Sequence, residues 1–248
     1  MRRLYQSLLL RCHNYQDRWG EPPGLAGKGF YQGIDRGGGE IRNMGDGTKD
    51  NPYTREDVLK LIKEHGGIAE GLNLSGKTFE TGIDLRGPDL TGVIFKAAYL
   101  WDAHFERVNL TESHLEKAFL SRAHLEEANL IDAHLEGADL MDAHLKGANL
   151  SRAHLEKAYL WDAHLEGANL WRAHLEGADL VNAEFSPETR LEETDWGNFI
   201  LGEEKTDSFS LAADTYRRLK QWYTNAGMSD IADKFSFREM EAKRKAQN

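Results

Sequence analysis

The chain has 248 residues and a formal net charge of −10, a length that fits one or two domains. Its mean hydropathy is −0.63, and no run approaches the roughly 18 apolar residues that a membrane span needs. The single cysteine excludes an internal disulfide framework and a cysteine-rich metal site. Because the apolar stretch near the start is short for a signal peptide, we expect a cytoplasmic protein.

The first predicted segment, residues 1–50, is rich in glycine and lacks apolar periodicity, so we expect it to be flexible. Residues 51–71 are predicted to contain a cap helix. Thr54 precedes the apolar stripe of this helix, and Asp57 stands three residues later in a capping-box arrangement. A stacked repeat needs its terminal layer covered, because open strand edges invite aggregation.

The middle of the chain, residues 72–209, is predicted to be a repeat domain. From Leu90 to Phe185 every fifth residue is Leu or Phe, and a small residue, usually Ala, stands two positions earlier. We call the Leu or Phe of each repeat position i. A period of five fits neither a helix nor a simple strand, and it indicates a repeat architecture.

Positions i and i−2 point to the same side of an extended segment, so both are predicted to face inward. Each pentapeptide then forms one side and one corner, four pentapeptides close one coil, and coils stack about 4.8 Å apart. An imperfect first coil, one residue out of the main register, is expected around Leu72 and Phe79. The predicted core includes Leu110, Leu120, Leu130, Leu140, Leu150, Leu160 and Leu170.

Three triplets carry a family resemblance: Ala138-Asp139-Leu140, Ala148-Asn149-Leu150 and Ala178-Asp179-Leu180. They resemble the A-D/N-L pattern of the pentapeptide-repeat family, which implies a right-handed quadrilateral β-helix. Together with the predicted flanking helices, the expected fold is mainly β. It is a right-handed quadrilateral parallel β-helix, or solenoid, with an N-terminal helical cap and a C-terminal helix pair.

Residues 210–248 are predicted to form a C-terminal helical hairpin with its joint at Gly227. This part resembles the helical tail of bacterial and archaeal family members, some of which continue into a membrane or channel segment. The resemblance therefore implies, as one alternative, a cytoplasmic module that associates with a membrane through a further C-terminal segment. The positions predicted to be apolar faces are Leu211, Tyr216, Leu219, Trp222, Tyr223, Ile231, Ala232, Phe235 and Met240.

Eight histidines recur at every tenth residue, each at position i−1. With four pentapeptides in a coil, they are predicted to form two columns on opposite sides. A glutamate follows most of them two residues later, but Lys146 takes that place after His144. Stacked imidazoles beside carboxylates could bind a divalent metal or sense pH, although a solvated column copied by duplication is the simpler interpretation, and no cofactor is expected. The columns are His104, His124, His144, His164 and His114, His134, His154, His174.

A second set of candidates stands at position i+1 and is expected to face outward. Exposed apolar columns can mark a surface that binds a partner. Two alternatives are that the C-terminal helices or the N-terminal segment cover these side chains, or that their exposure is incidental. The partner-binding candidates are Trp101, Met141, Trp161, Ile131 and Trp171.

The sequence favours a non-enzymatic scaffold that presents surfaces for protein–protein interaction. It contains no phosphate-binding loop, nucleophile elbow or helical metal motif. The expected partner is a protein of unknown identity, with a homodimer as an alternative, and the acidic repeat argues against direct nucleic-acid binding. Resemblance to quinolone-resistance relatives implies a further alternative, an acidic DNA mimic that binds DNA gyrase or another DNA-binding protein.

Overall fold

The computed structural model of the chain describes residues 44–247. Within this part, helix α1 spans Arg55–Glu64, helix α2 Gly202–Lys205, helix α3 Phe209–Asn225 and helix α4 Ser229–Lys245. Between α1 and α2 the chain runs through turns and single-residue parallel bridges. The expected flexibility of the glycine-rich start lies outside the described residues up to residue 43.

Parallel bridges join positions four pentapeptides apart and so link each coil to the next. His104 bridges His124, and Asn109 bridges Asn129, so a bridge occurs at every fifth position and four bridges make one coil. Backbone hydrogen bonds follow the same pattern: the Leu110 N–H donates to the carbonyl oxygen of Asn129 at 2.7 Å. The coils are therefore held by main-chain bonds that run between layers, as in a parallel sheet.

The corners are β-turns in which the second central residue has a positive φ. Between Leu100 and Ala103, for example, Asp102 has a φ of 56° and the Ala103 N–H donates to the Leu100 carbonyl at 3.2 Å. Glycine holds this place at some corners, such as Gly167 with a φ of 67°. The left-handed conformation costs a non-glycine residue about 1–2 kcal/mol. Burial of the inward side chains must offset this cost.

The interior consists of the side chains at i and i−2. Leu110, Leu120, Leu130, Leu140, Leu150, Leu160 and Leu170 are fully buried, and so is the alanine two residues before most of them. Phe95 and Phe105 fill the first coils, with ring centroids 6.3 Å apart. Each buried leucine contributes on the order of 1.5–3 kcal/mol through removal of apolar surface from water.

The coil register shifts by one residue at both ends of the repeat. Near the start, Thr78 bridges Tyr99, one residue beyond the regular step that joins Asp84 to His104. The one-residue slip predicted for the first coil is therefore confirmed. At the far end Asn169 bridges Arg190, again one residue further along, because the bridge residues Glu184 and Arg190 are six residues apart instead of five.

The N-terminal cap covers the first coil. Thr54 and Asp57 form the predicted capping box, in which the Thr54 N–H donates to the Asp57 carboxylate at 2.9 Å. Val58 of this helix is fully buried. The Arg55 guanidinium donates to the backbone oxygen of Arg86 at 2.8 Å, which ties α1 to the first coils.

Two boundaries differ from the sequence prediction at this end. Residues 44–50, assigned to the flexible segment, are anchored: the Thr78 N–H donates to the Gly47 carbonyl oxygen at 2.9 Å. Tyr53, assigned to the cap, bridges Phe79 as part of the stack. Residues 44–50 carry no apolar periodicity, so the sequence offered no sign of this backbone pairing.

The C-terminal hairpin covers the last coil. Phe235 of α4 lies in an aromatic cluster with its ring centroid 5.3 Å from both Trp196 and Phe199. The Arg218 guanidinium donates to the carbonyl oxygen of Ala183 at 2.6 Å. Tyr216 is fully buried and donates its hydroxyl to Glu204 at 2.8 Å.

Two predictions for the C-terminal part need correction. The assigned repeat domain ran to residue 209, but the last bridge residue is Asp195, and Gly202–Lys205 is helical. Met240, assigned to a packed apolar face, is 61% exposed. Helix α4 packs instead through Ala232, Phe235 and Ala242, because α3 covers only one side of it.

Candidate functional site

The four sides of the coil carry four different columns at position i−1. Passing around the coil from residue 99, they hold aromatic or acidic residues, histidines, asparagines and histidines again. We call the two histidine columns the first ladder (His104, His124, His144, His164) and the second ladder (His114, His134, His154, His174). The sequence repeats this decoration at every fourth pentapeptide, and the fold places each type on its own face.

The imidazole rings of both ladders stack in parallel. In the first ladder the ring centroids of consecutive histidines are 4.6, 4.7 and 5.1 Å apart. In the second ladder they are 4.8, 4.9 and 4.7 Å apart, with the ring planes within 7° of each other. The spacing is that of neighbouring strands, so the backbone sets it. The structure thus brings together all eight predicted histidines as two columns.

A carboxylate faces most of the rings within the same pentapeptide. His134 Nδ1 lies 3.2 Å from Glu136 Oε1, and His154 Nδ1 lies 3.2 Å from Glu156 Oε1. His144 has Lys146 in place of this glutamate. At the end of the first ladder, His164 Nδ1 lies 3.3 Å from Glu184 of the next coil.

The second oxygen of these glutamates points into the protein. Within the described residues, Oε2 of both Glu136 and Glu156 is buried and has no hydrogen-bond partner. A buried acceptor left without a donor costs about 1–3 kcal/mol. In the same part of the chain, Oε2 is likewise buried without a hydrogen-bond partner in Glu106, Glu116, Glu126 and Glu166. Two of these four glutamates have cationic neighbours: Glu116 lies 2.9 Å from Lys96 Nζ, and Glu106 lies 3.7 Å from Arg86.

A third face, which we call the aromatic face, carries Tyr99, Trp101, Phe119, Met141, Tyr159 and Trp161. The Tyr99 and Phe119 rings stack with centroids 4.7 Å apart, and Trp101 lies 5.1 Å from Tyr99 and 5.8 Å from Phe119. These side chains are half-buried. The predicted candidates Trp101, Met141 and Trp161 thus belong to one surface.

The opposite face is an asparagine column whose polar groups bond to each other. The Asn129 amide donates to Thr111 Oγ1 at 3.0 Å, and Ser151 Oγ donates to Asn149 Oδ1 at 2.6 Å. The candidates Ile131 and Trp171 lie here, half-buried. Trp171 is already in contact with its own chain, since the Arg172 guanidinium lies 4.3 Å from its ring centroid.

Charged residues at the corners pair between neighbouring coils. Asp102 pairs with Arg122, Arg107 with Glu127, and Asp132 with Arg152, all at 2.5–2.9 Å. The Arg152 guanidinium, hydrogen-bonded to Asp132, lowers the pKa of that carboxyl below its ordinary value. Part of the acidic charge of the repeat is therefore paired locally.

Sequence reasoning missed part of the aromatic face. It selected Trp101 and Trp161 at i+1 but did not connect them with Tyr99, Phe119 and Tyr159 at i−1. The available signal was the recurrence of large rings at i−1 on the same side of successive coils. Among residues 44–247, the large apolar side chains with the greatest exposure lie elsewhere: Ile68, Phe237 and Met240 are 60%, 54% and 61% exposed.

The bridges, corners and inward leucines define a repeat β-solenoid closed by helices at both ends. A family model for pentapeptide repeats matches residues 89–126, 120–156 and 158–186. The chain belongs to the pentapeptide-repeat family, which implies a right-handed quadrilateral β-helix, and the resemblance seen in the triplets is confirmed.

Solved structures of this family are similar to the repeat region. HetL from the cyanobacterium Nostoc sp. strain PCC 7120, involved in heterocyst differentiation regulation, is 32% identical over 56% of this chain and 56% of its own, with a TM-score of 0.46. Rfr23 from the cyanobacterium Cyanothece 51142 is 31% identical over 56% of this chain and 97% of its own, with a TM-score of 0.33. QnrB1, a plasmid-mediated fluoroquinolone resistance protein, is 21% identical over 48% of this chain and 64% of its own, with a TM-score of 0.31.

No curated protein matches the chain significantly. The chain spans 56% of the length of HetL, so activities of the whole relative do not transfer to it. Among residues 44–247, no helix combines the length and apolarity that crossing a membrane requires.

Proposed function

We propose that this protein is a non-enzymatic scaffold that binds a protein partner through the aromatic face. The observation that carries this proposal is the grouping of half-buried aromatic side chains and one methionine on a single side of the coil. Aromatic residues and methionine are enriched at protein interfaces, where they supply large contact areas with few rotamers to freeze. Pentapeptide-repeat proteins are generally structural or interaction proteins, which agrees with this role.

The backbone makes the aromatic face a preorganised surface. Tyr99 and Phe119 are held by their bridge and by ring planes inclined by only 2°. Binding a partner therefore costs little side-chain entropy. The asparagine face is a poorer candidate because its amides and hydroxyls already bond to one another, as in the Asn129–Thr111 pair.

The caps direct a partner to the sides of the rod. Helix α1 covers the first coil and the C-terminal hairpin covers the last, so end-to-end strand pairing is blocked at both ends.

The corner ion pairs weaken the DNA-mimic alternative. A decoy for a DNA-binding enzyme needs an uncompensated acidic surface, whereas Asp102 and Asp132 each pair with an arginine.

The test compares matched tryptophan variants of the full chain. Trp101→Ala/Trp161→Ala alters the aromatic face, and Trp171→Ala removes a half-buried tryptophan at the same repeat position on the opposite face. Each protein is immobilised and used for quantitative affinity capture with mass spectrometry. A partner that binds through the aromatic face should be retained by the unmodified chain and by Trp171→Ala, and lost from the double variant.

Circular dichroism melting checks that all three proteins fold. Equal capture by the double variant and the unmodified chain would contradict the proposal.

Sedimentation of the purified chain tests for a homodimer, which should dissociate in the double variant if a second copy occupies the face. A supercoiling assay with DNA gyrase should show no inhibition, and inhibition would favour the acidic decoy instead.

A further inference from the structure

The centre of the second ladder combines one imidazole and two carboxylates. One ligand atom from each of Glu136, His154 and Glu156 lies within 4.8 Å of the others. His134 contacts Glu136 from the same pentapeptide, with Nδ1 3.2 Å from Oε1. All of these side chains are half-buried, so the cluster lies at the surface of the rod but is partly shielded from water.

The distances suit a small divalent ion after a limited side-chain movement. Zinc binds His nitrogen and carboxylate oxygen at about 2.0–2.2 Å with tetrahedral geometry, so two of its ligand atoms lie about 3.4 Å apart. His154 Nδ1 and Glu156 Oε1, at 3.2 Å, are already close to this separation. The ligand atom of Glu136 lies within 4.8 Å of both, so it needs to approach by up to about 1.4 Å, which rotation of its flexible side chain can provide.

The charges in this cluster also suit a divalent cation. Two ionised carboxylates and a neutral imidazole balance a charge of +2. Within the described residues, no lysine or arginine forms an ion pair with Glu136 or Glu156, whose ion pairs are with His134 and His154. The buried Oε2 atoms of the two glutamates, like those of the other ladder glutamates Glu106, Glu116, Glu126 and Glu166, have no donor in this part of the chain. A cation beside the carboxylate would therefore offset part of its desolvation cost.

The other ladder positions are less suitable. Glu116 and Glu106 are already paired with Lys96 and Arg86. In the first ladder, Lys146 occupies the carboxylate position beside His144 and would repel a cation. Glu184, the second carboxylate near His164, has a side chain that is 60% exposed.

We propose that Glu136, His154 and Glu156 form a binding site for one divalent transition-metal ion of the zinc type. His134, hydrogen-bonded to Glu136, acts as a positioning residue that orients the carboxylate. The fourth position of a tetrahedral ion is left for water or for a group from a bound protein. Because the site bridges two coils, the ion would also link them.

Calorimetric titration of the metal-free full chain with Zn²⁺ tests this site. The unmodified chain should bind Zn²⁺ at a site that the isosteric Glu136→Gln/Glu156→Gln variant weakens at least about tenfold. The matched control is Glu126→Gln/Glu166→Gln, which makes the same charge change in the first ladder and should leave that affinity unchanged. Lys146→Glu should add a further equivalent of bound Zn²⁺ by completing the first ladder.

The proposal would be overturned if the Glu136→Gln/Glu156→Gln variant bound Zn²⁺ with the same affinity as the unmodified chain, since the ion would then bind elsewhere. Equal weakening by the control pair would overturn it too, because general surface charge would explain the binding. An NMR titration of the folded unmodified chain tests the site without depending on the folding of a variant. The imidazole signals of His154 are assigned by their absence from the spectrum of His154→Gln. Zn²⁺ should selectively shift these signals, and shifts confined to other histidines would contradict the proposed site.

Discussion

Trp196 donates its indole N–H to the hydroxyl of Tyr223 at 2.7 Å, and this hydroxyl donates to the carbonyl oxygen of Leu191 at 2.8 Å. Trp196 belongs to the last coil and Tyr223 to helix α3, and both are buried. Burial raises the pKa of Tyr223 to about 12, so its hydroxyl stays protonated at neutral pH. The two bonds connect the C-terminal hairpin to the end of the solenoid.

Tyr223→Phe should destabilise the protein by about 1–3 kcal/mol, because it leaves a buried indole N–H and a buried carbonyl without this partner. Urea unfolding followed by tryptophan fluorescence measures the loss. Tyr99→Phe removes a hydroxyl from the half-buried aromatic face and should change the free energy of unfolding by less than about 0.5 kcal/mol. Equal losses in the two variants would contradict the role given to the Tyr223 bonds.

The inward position of Leu140 predicts a large cost for its truncation. Leu140 is fully buried between stacked coils, so Leu140→Ala should cost about 2–5 kcal/mol through lost burial and the cavity left behind. The adjacent Met141 is half-buried at i+1, and Met141→Ala should cost clearly less. Chemical denaturation of both variants measures this difference, and a reversed order would show that the inward and outward assignments are exchanged.

The buried carboxyl of Glu203, next to the C-terminal hairpin, should make the stability of the protein depend on pH. Burial, and then the charge of Asp179, raises the pKa of Glu203 to about 8, although its Oε1 accepts from the Leu180 N–H and from Thr215 Oγ1. The unfolded chain releases this proton near pH 4.5, so between about pH 4.5 and 8 the folded chain binds more protons. Its stability should therefore fall as the pH rises through this window, by up to about 1.4 kcal/mol per pH unit.

Glu203→Gln should remove this dependence, because the amide imitates the protonated acid. Melting temperatures between pH 5 and 8.5 measure the effect, with Glu112→Gln, an exposed corner residue, as the control that keeps the unmodified slope. Parallel curves for Glu203→Gln and the unmodified chain would show that Glu203 does not retain its proton.

The Asp132–Arg152 pair should contribute little and should respond to salt. The two side chains are 38% and 45% exposed, and exposed pairs contribute about 0.2–1 kcal/mol. A double-mutant cycle of Asp132→Asn and Arg152→Gln should give a coupling in this range that declines in about 1 M NaCl. Because Arg152 lowers the pKa of Asp132, the coupling should be present above about pH 4 and be lost as the pH falls through the lowered pKa. The non-neighbouring pair Asp132 and Arg107 serves as the control, with no measurable coupling expected.

The sequence predicted the coil and the ladders better than it predicted the surfaces and the caps. Leu at every fifth residue leads to a coil of four pentapeptides, and that arrangement places His134 over His154. The aromatic face was predicted only in part. Grouping Tyr99 at i−1 with Trp101 at i+1 requires knowing that both project from the same extended side of the coil, between two corners. The anchoring of residues 44–50 has no periodic signal, because it depends on backbone bonds to the first coil.

The sequence by itself determined which residues face inward, because this follows from the five-residue period. It also predicted which repeat positions share a column, because four pentapeptides were expected to close one coil. The tertiary structure decided which side chains meet across columns and layers, such as Glu136 with His154 or Trp196 with Tyr223. These contacts depend on the corner geometry and on the path of the chain into the C-terminal hairpin. The physical reason is that a period specifies a direction for each side chain, whereas contacts also require the distance between side chains, which the packing of the whole chain sets.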